Sequence, residues 1–177
     1  MFSNRKLVDF LIFLVPLGGI LFVFRKVFFF DNIFSHSDVI HNYFPYFYSL
    51  SKWQSLIEPA ILSGFPIFTS VSTTWFFPLN KILFTFFDAF SAFRLLDVAY
   101  LLFAYIFTYL YLRKVGMNKE VSVLSGLIYV FSGQVMLWSE TIIISSYYTI
   151  LPLSLYLFEH GLRESVNYKK YIFLLLF

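Results

Sequence analysis

The sequence predicts an all-α polytopic membrane protein whose first outer loop is long and carries amphipathic surface helices. Three observations predict it. Charged residues fill only 13% of the 177 positions and hydrophobic residues 59%, whereas a soluble domain holds about 25% charged residues. So little charge cannot cover a water-facing globular surface. Apolar runs recur at 7–24, 95–112, 121–137 and 142–158, each near the lower limit of the roughly 17–25 residues that cross a bilayer as a helix. Basic residues, finally, divide unevenly between alternate connecting segments.

The first run follows Arg5 and Lys6 and is succeeded by Arg25, Lys26 and a Phe-rich tail. It has no small-x-small cleavage site, so it reads as an uncleaved signal anchor. Pro16, Gly18 and Gly19 stand inside it, which membrane helices tolerate better than soluble ones.

Residues 25–94 are too long for a turn and too apolar for a free loop. Val39, Tyr43, Tyr46, Leu50, Trp53 and Ile57 recur at alternating spacings of four and three, one face of a helix. His41, Tyr48, Ser51, Ser55 and Glu58 fall on another face. Pro45 sits in the first turn or bends the helix, and Pro59 ends it. This pattern predicts an amphipathic helix along the outer membrane surface. Gly64 and Pro66 then break structure, and Trp75, Phe76 and Phe77 suit an interfacial aromatic belt. The run 79–87 is too short to cross, predicting a second surface or re-entrant helix. After the remaining spans, residues 171–177 open a fifth.

With the N-terminus inside, the segments 1–6, 113–119 and 161–170 hold eight basic residues in 23 positions, while the outer segment 25–94 holds five in 70. The N-terminus is therefore expected in the cytoplasm, and the chain in the cell membrane as a multi-pass protein. The net charge of +3 belongs to these loops. No basic stripe suggests nucleic-acid binding. With no cysteine, disulfides and thiolate metal sites are excluded, and there is no Gly-rich phosphate loop or GxSxG motif.

Polar chemistry concentrates in 34–50, "FSHSDVIHNYFPYFYSL". Asp38 has no Lys or Arg within ten residues on either side, so no local ion pair explains it. Two readings stand. It is a solvated acid near a helix N-terminus, where negative charge is favoured, or it is a general base or metal ligand at the outer membrane face. His36 and His41 bracket it as His-x-Asp-x-x-His. That spacing allows a divalent metal on Asp38 and His36 but matches no established metal signature, and interfacial hydrogen bonding is the favoured account of the histidines. Asp97, near the outer end of the second span and one turn from Arg94, reads as a local surface pair or a snorkelling acid in preference to a functional acid. Glu140, in the short outer turn between the third and fourth spans, is a solvated loop acid or a contributor to an outer site. Gln134 reads as helix-packing glue.

The stretch "HSDVIHNYFPYF" (36–47) resembles the start of the first outer loop in the YfhO family of bacterial membrane proteins. That loop typically shows an Asp, a Gln four positions on, then Tyr-x-Pro-Phe. Asp38, Tyr43 and Pro45 fit it; Asn42 replaces the Gln and Tyr46 the following aromatic. "SGFPIFTSVSTTWFFPLNKILF" (63–84) resembles the family's later loop element through Gly64, Pro66, Pro78 and Asn80. "LSGLIYVFSGQ" (124–134) and "LPLSLYLFEHGLR" (151–163) resemble two of its spans.

The resemblance implies a GT-C-type glycosyltransferase that takes sugar from a polyprenyl-phosphate-linked donor on the extracytoplasmic face. The implied acceptor is a cell-envelope polymer such as teichoic acid. Asp38 is then the expected catalytic or metal-linked acid. His41, Asn42, Tyr43 and Glu140 become the expected substrate contacts, and a divalent ion a possible cofactor. Family members are longer, so residues 1–177 are expected to form the N-terminal part of a single transmembrane domain, inactive without further spans. The competing expectation is a non-catalytic transporter fragment or assembly subunit.

Overall fold

The structure is a computed structural model, described here for residues 4–26, 57–58, 65–66, 78–139 and 142–163. These form helices and their connecting turns, apart from one two-residue pairing. The helices are α1 (Asn4–Val23), α2 (Pro78–Phe86), α3 (Ala89–Val115), α4 (Lys119–Val130), α5 (Gly133–Trp138) and α6 (Ile142–Arg163).

Helix α3 is the hub. It packs most extensively on α6, then on α4, and also on α2 and α1. Its buried positions include Ala89, Ala92, Phe93, Leu96, Tyr100, Leu101, Ala104 and Tyr105, spacings of three and four that keep one broad stripe inward. Alanines along this stripe let neighbouring backbones come close. Both ends are sealed by sequence. The Asp88 carboxylate accepts the N–H groups of Phe90 and Ser91 at 3.1 Å each, satisfying two of the orphan donors of the first turn. At the other end Gly116 turns into the left-handed region at φ 108°. Its N–H donates to Arg113 O and that of Met117 to Leu112 O, a Schellman closure that favours glycine. Arg113 and Lys114 occupy the last turn, where the helix dipole favours cations.

Helix α4 starts at Asn118, whose side chain accepts the Val121 N–H at 2.8 Å. Its buried face is Ser122, Gly126 and Val130, and the small residues Ser122 and Gly126 suit close contact with α3. The apolar run 121–137 is two helices rather than one. α4 stops at Phe131, and the Ser132 hydroxyl then accepts the Val135 N–H to begin α5.

Proline lies inside α1 (Pro16) and α6 (Pro152), and both are buried. Pro152 has no N–H to donate to the carbonyl of Tyr148 four residues earlier. The Tyr129 hydroxyl of α4 donates to that carbonyl instead, at 2.9 Å. Ile12, Pro16 and Ile20 of α1 and Phe24 just past its end fall four apart and are all buried.

One expectation is corrected in the outer segment. Ile57 and Glu58, assigned to the end of the amphipathic helix, pair antiparallel with Pro66 and Phe65. The reason is local: Glu58 precedes Pro59 and Phe65 precedes Pro66, and a residue before proline is pushed to extended backbone. The rest of that helix, residues 39–56, lies outside the described residues. α2 supplies the short helix expected at 79–87.

The core is apolar, but polar side chains join it and large apolar side chains cover much of the outside. The buried set includes Asn80, Asp97, Ser122, Ser139, Ser145, Ser146 and Thr149. The exposed set is dominated by large apolar side chains. On α6, Tyr147, Leu151, Leu155, Phe158 and Leu162 form one outward stripe, and on α4 Val121, Leu124 and Ile128 form another.

Candidate functional site

The buried polar side chains are not scattered. Most belong to the end of the bundle where α3 begins, α6 begins and α5 closes. Asn80 of α2 is fully buried, and its side-chain oxygen accepts a hydrogen bond from the Tyr100 hydroxyl of α3. Asp97 lies one turn before Tyr100 on the same inward face, 1% exposed, close enough for the two groups to interact electrostatically. From α6, the Thr149 hydroxyl lies 2.8 Å from the Tyr100 carbonyl and 3.2 Å from that of Ser145, and its single proton serves one or is shared. The Ser145 hydroxyl donates to Ser139 O at 2.9 Å, and that of Ser139 to Met136 O at 2.9 Å. A chain of hydroxyl and amide contacts thus joins α2, α3, α5 and α6.

Each position has a local cause. Asp97 and Tyr100 are three residues apart, hence on one face of α3. Ser145 and Thr149 are four apart on α6 and face it. Asn80 is brought in by α2, which buries Phe84 one turn later and so lies with that face on α3.

Asp97 overturns the reading of a surface pair. It is the ninth residue of α3, about 12 Å along the helix axis, and it is interior. Local spacing to Arg94 suggested an exposed charge pair, but the inward stripe of α3 includes position 97. A carboxyl there, beside the Tyr100 phenol that bonds Asn80, adds to a polar core that can fix the helices or bind a small polar group.

The sequence-derived site residues Asp38, His36, His41, Asn42, Tyr43 and Glu140 all lie outside the described residues. Among the described residues, no group of three His, Asp or Glu side chains could hold a metal ion. Gln134, read as packing glue, donates to the Tyr148 hydroxyl at 3.2 Å, bridging α5 to α6. Asn80 was drawn out by its Pro-Leu-Asn context. Tyr100, Tyr129, Ser145 and Thr149 were missed. The signal available was the pair of hydroxyl residues one turn apart inside the apolar run of α6.

The chain matches no protein-family model, no curated protein and no solved structure.

Proposed function

We propose that the chain is the N-terminal part of a polytopic membrane glycosyltransferase of the GT-C type. The observation that carries its membrane half is the outer surface: stripes of Leu, Ile and Phe face outward, while hydroxyls, an amide and a carboxyl join the apolar core inside. Soluble monomers rarely expose contiguous apolar patches of such extent, whereas small and polar residues at helix contacts are the rule in lipid. Among the described residues one helix, Ala89–Val115, is long and apolar enough to cross a membrane. Its 27 residues rise about 40 Å against a hydrocarbon core of about 30 Å.

The transferase half rests on the YfhO-like motifs, and Asn80 of those motifs supports it by being fully buried and bonded. The chain between α1 and α2 carries Asp38, and the junction of α5 with α6 carries Glu140. α2, the start of α3, the close of α5 and the start of α6 lie at the polar end of the bundle. In the proposed reaction the Asp38 carboxylate accepts the proton of an acceptor hydroxyl. The acceptor oxygen forms a bond to the sugar's anomeric carbon as the bond to the polyprenyl phosphate breaks, and the lipid phosphate leaves. A divalent ion would be held by Asp38 and His36, and no step above depends on it.

The test is sugar transfer from a polyprenyl-phosphate donor to envelope polymer in membranes carrying the full gene product. Asp38→Asn at matched protein level should lower transfer about a hundredfold or more, the range for losing a general base. Unchanged transfer by that variant would remove the assignment.

A second reading, a transporter, is favoured by one observation. Asp97 is an interior acid of α3, and ionisable groups within spans often mark ion pathways. Asp97→Asn that abolishes a proton- or ion-coupled flux while sparing sugar transfer would select it.

A further inference from the structure

Helices α1 and α4 both lie beside α3, and they close on each other at one end. A Cβ built on Gly19 of α1 would come within 2.9 Å of the Phe131 ring at the close of α4, so the two helices touch there. Toward the start of α4 they part. The gap is an apolar groove of about 350 Å³ walled by Ile12 and Val15 from α1 and Val123 and Leu127 from α4, with Lys119 and Glu120 at its end. This volume lies in the range of small-ligand sites, about 300–1,000 Å³. The groove is open along its side, where Val15 and Leu124 are exposed.

We infer that this groove holds one acyl chain of an anionic phospholipid, whose phosphate lies at the Lys119 end. Charge complementarity fixes the occupant. The short stretch 113–120 carries Arg113, Lys114 and Lys119 against Glu120 alone, and Glu120 stands in the first turn of α4, where the helix dipole already favours an acid. Basic residues at the end of a membrane helix attract anionic lipid. The lateral opening admits a chain from the bilayer, and the Gly19–Phe131 contact ends the groove at its far side. The inference rests on the membrane half of the proposed function and is independent of the sugar chemistry.

The experiment uses the full chain in nanodiscs of equal phosphatidylglycerol and phosphatidylcholine, released and weighed by native mass spectrometry. Wild type should retain phosphatidylglycerol in preference to phosphatidylcholine. Lys119→Gln should lower that preference about fivefold, the effect of one Lys at an anionic surface, and Lys119→Arg should keep it. Val123→Trp, which fills the groove, should remove retention of both lipids with unchanged helical circular dichroism. Equal retention of the two lipids by wild type, or a preference unaltered by Lys119→Gln, would overturn the site, and neither depends on how Val123→Trp folds. A chain that stays dispersed in water without detergent would overturn the membrane reading along with it.

Discussion

Gly126 supplies the sharpest test of how α3 and α4 meet. A methyl group placed there would sit 2.9 Å from both Cδ2 and Cε2 of Tyr105, and 3.5 Å from the Tyr105 carbonyl. Ordinary carbon contacts begin about half an ångström further out. The ring has little room to yield: Tyr105 is fully buried and stacks on Tyr109 at 6.5 Å between centroids. Among the described residues its hydroxyl has no hydrogen-bond partner, so the resistance is steric. Two terms then oppose each other in Gly126→Ala. Removing a glycine from a helix interior stabilises by about 1 kcal/mol, and overpacking a close contact costs about 1–3 kcal/mol. The net expectation is a loss of about 0–2 kcal/mol. In a Tyr105→Val background the two clashing ring atoms are gone, so the same change should stabilise by about 1 kcal/mol. The coupling between the sites should therefore be about 1–3 kcal/mol, within the range for residues in contact. Unfolding of the four proteins in mixed micelles, followed by far-ultraviolet circular dichroism, measures it. Equal stabilisation by Gly126→Ala in both backgrounds would refute the close crossing.

Three further expectations follow from single contacts. Tyr129→Phe strips the donor from the carbonyl that Pro152 leaves unpaired and should cost about 0.6–1.7 kcal/mol, the range for side-chain hydrogen bonds between membrane helices; in a Pro152→Ala background, where the restored backbone N–H can bond Tyr148 O, the same change should cost little, and equal costs in both would contradict the proline account. Asp88 is held below the ordinary carboxylate range by hydrogen bonds from Ser91, first its side chain and then its N–H, with Phe90 N–H adding. Its folded value is depressed, so its contribution is complete above the unfolded carboxylate pKa and fades as pH falls through the folded one. Asp88→Ala should cost about 0.5–2 kcal/mol at neutral pH and less in strong acid, while a pH-independent cost would exclude the carboxylate as the cap. For topology, a cysteine at Ser55 should react with an impermeant thiol reagent in intact cells and one at Met117 should not; the reverse pattern would invert the orientation.

The sequence by itself determined the local terms. The causes are local, yet the expectations used few of them: the helix starts at Asp88, Asn118 and Ser132 and the left-handed close at Gly116 were missed, and Glu58, extended before Pro59, was assigned to a helix. Composition led to the expectation of lipid as the solvent, and the run 95–112 marked the long central helix, because propensity and hydropathy are properties of a few neighbouring residues. The polar core was not legible in the same way. That Tyr100 reaches Asn80, that Thr149 reaches Tyr100 and that Asp97 is interior depends on α2, α3 and α6 being brought together. An inward polar residue on a membrane helix also looks, in one dimension, like an outward one on a soluble helix. Even the hydrogen bond from Tyr129 to the Tyr148 carbonyl, which Pro152 leaves without its donor, needs the third dimension. The proline states that a carbonyl is left without its donor, and only the packing of α4 on α6 decides which hydroxyl supplies one, because an unpaired carbonyl in an apolar interior takes whatever donor the neighbouring helix presents.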